Sequence, residues 1–163
     1  MEEETRARRE VLIVGAGGHR LGVFAEEAAG IESGRARRGV PLPHAPAAVL
    51  GIVSVCGRML TLLDPLSLLG EPGTRTLADA ASGFILALRG DEQLALAVDS
   101  SERLREIGLD EIEPATGAAA ALAHGTFQDG EARVILLDVT RLFAAAVKGM
   151  EQRRRRRVLY EQH

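Results

Sequence analysis

The sequence predicts a mainly β chain folded as two small, intertwined barrel-like units. Three observations carry this. Short apolar runs recur at regular spacing, each cut by a glycine or Asp-Gly turn, which favours small barrels over an open sheet. The chain also repeats itself: TLLDPLSLL around Asp64 and ILLDVTRLF around Asp138 align without a gap, and each closes a similar run of hairpins. Finally, 163 residues suit one compact domain or two small units that must share a core.

Composition narrows the function classes. Hydrophobic residues make up 46% and charged residues 26%, an ordinary globular balance. Aromatics are only 3% and tryptophan is absent, so the core is Leu, Val, Ile and Ala. The net charge of −3 argues against a surface devoted to nucleic acid. The single cysteine excludes an intramolecular disulfide framework and fits a reducing compartment. MEEETRARRE lacks the apolar centre of a signal peptide, and no apolar run reaches spanning length, so a cytoplasmic location is expected.

In order along the chain, residues 1–10 are a charged lead-in, frayed or weakly helical. Val11 to Val14 form a strand, Gly15 to His19 a glycine turn and Leu21 to Phe24 the returning strand. Ala25 to Ile31 is a helical turn or a bent strand, which period does not separate. Arg35 to Pro46 holds three prolines and reads as an irregular loop. Val49 to Val55 and Arg58 to Leu63 form the central hairpin about Cys56-Gly57, and Gly57 supplies a positive φ. Asp64 then caps a short helix with Pro65 in its first turn and Leu66, Leu68 and Leu69 on its apolar face.

The stretch EPGTRTLADAAS reads as a linker, after which the pattern restarts. Gly83 to Leu88 and Leu94 to Val98 are strands about a Gly90-Asp91-Glu92 turn. Ser100 to Pro114 is a bent strand or helical turn, and Ala115 to Ala123 loop or weak helix. A hairpin turned at Asp129-Gly130 has Arg133 to Leu137 as its outgoing strand. Asp138 then opens a last helix through Leu142, Phe143 and Val147 into the arginine run. This gives a first barrel over about 11–78, a second over about 82–147, and an Arg-rich helix or tail over 148–163.

Candidate chemistry is sparse. VLIVGAGGHRLG starts like a dinucleotide-binding turn, but Arg20 occupies the third glycine position and a strand follows where a helix is required, so it reads as a hairpin. His19, His44, His124 and His163 are scattered without metal-ligand spacing. Cys56 has no His or Cys neighbour to make it a nucleophile, and Ser54, Ser100 and Ser101 lie outside any nucleophile elbow. No enzyme, metal, cofactor or small-molecule substrate is expected. Arg153 to Arg157 reads as a solvated helix end complementing the helix dipole, with an anion- or nucleic-acid-binding role as the alternative.

Over roughly residues 10–147 the chain resembles the CheW-like domains, the scaffolding adaptors of bacterial chemotaxis. The segment that carries this best is Pro46 to Gly70, PAAVLGIVSVCGRMLTLLDPLSLLG, against the family's apolar-Gly-apolar-apolar-Asn-apolar-Arg-Gly hairpin and apolar-apolar-Asp-Leu helix start. Leu21-Gly22-Val23, Leu96-Ala97-Val98-Asp99 and Leu136-Leu137-Asp138 match further short motifs in the family's order. The resemblance implies two five-stranded, SH3-like barrels with a shared core, and a non-enzymatic, stand-alone scaffold. It implies two partners: the regulatory domain of a CheA-type histidine kinase, and a chemoreceptor-type protein whose array would draw this cytoplasmic chain to the membrane. It also implies a partner-binding set of Ala28, Gly30, Gly51, Ser54, Cys56, Gly57 and Arg58. The departures fall in this set. Cys56 stands where the family offers arginine and Ser54 where it has asparagine, and a thiol cannot imitate a forked guanidinium. Gly30 replaces an acidic residue and Ala28 a larger aliphatic one, so a divergent adaptor serving another pathway, without receptor binding, is the competing expectation.

Overall fold

The computed structural model describes residues 7–36, 39–71 and 75–146. The arginine run at 153–157 lies outside these residues, as does most of the charged lead-in. The described residues form eleven strands: β1 Arg8–Ala16, β2 His19–Phe24, β3 Ala28–Ser33, β4 Gly39–Val40, β5 Val49–Val55, β6 Arg58–Leu63, β7 Phe84–Leu88, β8 Leu94–Val98, β9 Ser100–Gly108, β10 Ala123–Asp129 and β11 Ala132–Leu137. Two short helices, α1 Pro65–Leu68 and α2 Leu77–Ala81, join the halves, and a third, α3, is helical over residues 139–146.

The strands form two sheets, in the order β10-β11-β2-β1-β9 and β3-β7-β8-β6-β5-β4. Each sheet takes strands from both halves of the chain. The β1–β2 hairpin joins the strands of the second half, and β7–β8 joins those of the first. Two parallel pairs stitch the exchange, β11 with β2 (Val134 opposite Arg20) and β6 with β8 (Thr61 opposite Leu94). The units are therefore intertwined, and a cut of the chain between residues 78 and 82 does not separate the two sheets.

Side-chain alternation explains why neither sheet stands alone. In β8, Leu94, Leu96 and Val98 enter a core between the sheets, while Ala95 and Ala97 point into the core of their own sheet. Every residue of this strand is buried. The core between the sheets gathers Val14, Leu21 and Val23 from one side, and Leu63, Leu86 and Leu88 from the other, with Leu142 of α3. A separate core lies within each sheet, built on Leu60, Leu62 and Ile85 in one and on Ile13, Phe127 and Leu136 in the other. In β8 the small residues face the interior of its own sheet and the large ones the junction.

The duplication is visible atom by atom. Gly51 and Gly125 both adopt φ 155 at a register shift of their hairpin. A Cβ at Gly51 would strike the Val40 carbonyl, and one at Gly125 the Glu113 carbonyl. Asp64 donates its N–H to Ala48 at 2.7 Å, and Asp138 to Leu122 at 2.8 Å.

Several sequence expectations change. The glycine-rich turn is a hairpin as expected, but β1 begins at Arg8, because Arg8 to Glu10 pair with Glu106 to Gly108 of β9. Ala25 to Ile31 resolves into both alternatives, a 3-10 turn at Ala25–Glu27 followed by β3. The proline loop contains a 3-10 turn at Gly34–Ala36 and the two-residue β4. The supposed linker contains α2, opened by a capping box in which Thr76 and Asp79 satisfy each other's backbone N–H groups. Ser100 to Pro114 is chiefly the long strand β9.

Candidate functional site

The β5–β6 hairpin tip is set by two left-handed residues, Cys56 at φ 51 and Gly57 at φ 76, the pattern of a tight two-residue hairpin turn. Glycine adopts this region freely; cysteine does so only because the strands on both sides hold it. The turn exposes Cys56, Gly57 and Arg58. The Cys56 thiol donates to Glu32 Oε1 of β3 at 3.3 Å, so the hairpin tip curls back on the edge strand of its own sheet.

Beside the tip, the outward face of β5–β6 is apolar in part. Ser54 is exposed and lies opposite Met59, which is 56% exposed. Val40 of β4, at 61%, lies opposite the half-buried Ile52. Met59 and Val40 were not among the sequence candidates. Strand alternation could have found Met59, since it must share the face of Ser54, whereas Val40 sits in a two-residue strand with no periodic signal.

The remaining candidates lie elsewhere on the same sheet. Ala28 and Gly30 belong to β3, at a register shift against β7. Ala28 packs against the core between the sheets, and Gly30 faces open space. Gly51 is buried under Val40 and Leu77 and offers a partner no surface; its place follows from the close approach of β4. The structure thus joins the tip residues to β3 through Glu32, and sets Gly51 apart from them.

Two charged networks mark the points where the chain passes between sheets. Asp99 is the single residue between β8 and β9. It accepts from Gly17 N–H of the β1–β2 turn at 2.6 Å and from Arg75 Nη2 at 2.9 Å. Arg75 Nη1 lies 3.5 Å from Asp64 Oδ1, an ionic rather than a directed contact. Asp64 caps α1 by accepting from Leu66 N–H, and burial pushes its carboxyl above the usual range despite Leu66 and Arg75. At the other crossing, between β2 and β3, burial likewise raises Glu27, against the pull of His124 and Arg9. His124 Nδ1 stands 3.7 Å from Asp138 Oδ2, and Arg9 stacks on Phe24 while pairing with Glu26.

These groups tie elements together rather than face a substrate. The N–H of Gly17, which a phosphate would need, is taken by the Asp99 carboxylate. No cluster of three or more His, Cys, Asp or Glu residues suited to a metal occurs among the described residues. A shallow depression of about 350 Å³ is lined by Arg8, Arg9, Glu10, Ala25 and Glu26, and its arginines are already paired. Among the described residues, no helix is long and apolar enough to cross a membrane.

The architecture defines the class: a duplicated β scaffold whose distinctive features are surface strands and a hairpin tip. A family model of the CheW-like domain matches residues 32–147, and the chain belongs to that family of adaptor domains. Among solved structures it is similar to the scaffolding protein TtCheW from Thermoanaerobacter tengcongensis, with a TM-score of 0.68 and 15% identity. That match covers 81% of this chain and 90% of the other, and at this identity it speaks for the fold. No curated protein matches the chain.

Proposed function

We propose that this chain is a cytoplasmic, non-enzymatic adaptor that couples a chemoreceptor-type sensor to the regulatory domain of a CheA-type histidine kinase. The observation that carries this reading is the pair of interlocked sheets of a CheW-like domain. Its mechanism is geometric. Residues 11–147 act as one unit that holds two partners in a fixed relation, adding binding energy at two surfaces without bond chemistry. Interfaces of standard size with an apolar centre suffice, and Met59 and Val40 beside Ser54 and Arg58 supply such a centre on one sheet.

The β5–β6 tip with Ala28 and Gly30 of β3 forms the other candidate contact. There Cys56 and Gly30 stand in place of an arginine and an acidic residue able to make charge-assisted bonds, and Ala28 in place of a larger aliphatic one, which weakens any grip on a charged receptor tip. Isothermal titration of the purified chain with a CheA-type regulatory domain tests the kinase side. Saturable one-to-one binding that falls at least tenfold in Met59→Glu supports it, and absence of binding by the wild type refutes it. Restoring the tip arginine with Cys56→Arg is expected to strengthen binding to a receptor coiled-coil fragment.

A further inference from the structure

Each half of the chain ends its last strand with a buried or half-buried aspartate, but the two are held differently. Asp138 is met locally, by Arg141 one helical turn on at 3.4 Å and by His124 of the neighbouring strand. Asp64 is met by Arg75, whose guanidinium reaches on to Asp99 and through it to the Gly17 N–H. The chain Gly17–Asp99–Arg75–Asp64 runs from the β1–β2 turn of one sheet, over the β8–β9 crossing, to the end of β6 in the other. The Asp99 N–H also bonds the Gly15 carbonyl at 2.7 Å, so this crossing residue grips the turn twice. The Arg75 side chain is 17% exposed and Asp64 3%, so water screens their contact little, whereas Asp99 is 51% exposed and its pair with Arg75 lies open to solvent. Arg75 itself comes from the segment between α1 and α2, outside both sheets.

We propose that Arg75 is a positioning residue that fixes the angle between the two sheets, and so the relation between the two docking surfaces. The proposal rests on the adaptor reading for its functional half. A forked guanidinium can hold two carboxylates at once; an ammonium on a flexible stem engages one of them. Removing the fork leaves Asp64 and Asp99 without their common partner at the junction, and leaves the β1–β2 hairpin tied to α1 and the segment after it by the packing of Gly17 on Leu66 and the His19–Glu71 pair. The core between the sheets then keeps them together without fixing their angle.

The test measures the geometry first. Spin labels are placed on Cys56, at the tip of β5–β6, and on Glu131→Cys, at the matching tip of β10–β11 in the other sheet, and the distance distribution is read by pulsed electron resonance. A narrow distribution that broadens or shifts in Arg75→Ala and Asp99→Asn, with Arg75→Lys falling between, is the expected result. An unchanged distribution in both Arg75→Ala and Asp99→Asn, with circular dichroism showing both variants folded, overturns the proposal. The functional half is read by titration with a CheA-type regulatory domain and a receptor coiled-coil fragment. Arg75→Ala is expected to bind each alone within threefold of wild type, and to lose at least tenfold in binding the second partner once the first is bound. Unaltered assembly of all three, despite a broadened distribution, refutes the positioning role. Failure of the wild type to bind either partner refutes the adaptor reading, while the distance result still decides the brace.

Discussion

Replacing Leu96 with alanine removes the centre of the core that joins the two sheets. Leu96 is 0% exposed and lies on β8, between Leu86 of β7 and Leu63 of β6. Deleting a buried leucine side chain costs about 2–5 kcal/mol, more where the surroundings cannot collapse into the cavity. The site is walled by strands fixed from both sides, so a cost of about 3 kcal/mol is expected, which lowers the melting temperature of a domain this size by roughly 6–12 °C. The informative readout is where the loss appears. The interlocked topology makes the sheets one cooperative unit, so hydrogen exchange should accelerate alike in β5–β6 and in β10–β11, although Leu96 belongs to the sheet of β5–β6. If β10–β11 kept its full protection while β5–β6 lost it, the sheets would be independent and the shared-core argument would fail.

Other perturbations test narrower points. Gly51→Ala and Gly125→Ala each place a Cβ against a neighbouring carbonyl at a positive φ, and each should destabilise by more than about 1 kcal/mol in urea unfolding, whereas Gly130→Ala, with open space around it, should cost less. Glu27→Gln should stabilise the fold near neutral pH and leave it unchanged at acid pH. The sign follows from burial raising the folded-state value of Glu27, so that its favourable contribution is complete below the unfolded value and is lost as pH rises through the folded one. Melting curves across that range check it, and a destabilised variant at neutral pH would mean that the pull of His124 and Arg9 outweighs burial. Thr76→Ala, which removes the cap of α2, should cost about 1 kcal/mol.

The hairpins were legible in the sequence because period-two alternation and glycine turns are local signals. That the units intertwine was expected, but which strands are exchanged was not legible, since the parallel pairs β6–β8 and β11–β2 join residues far apart and no local pattern encodes them. Strand β9 was ambiguous because an edge strand exposed along most of its length lacks clean alternation. Helix α2 was overlooked among Pro, Gly and Thr, although the Thr76–Asp79 capping box was there to be read. The tip turn was legible from Gly57, but the left-handed Cys56 and its bond to Glu32 are tertiary facts. The crossing networks were invisible for the same reason: Arg75 sits in what reads as a linker, and Asp99 is one more acid after a strand.

The measurement that bears most directly on the adaptor account is sedimentation of the chain mixed with a CheA-type regulatory domain and a receptor coiled-coil fragment. The account predicts a boundary containing all three components, larger than either binary mixture gives. Two partners that displace one another, so that only binary complexes form, would contradict it.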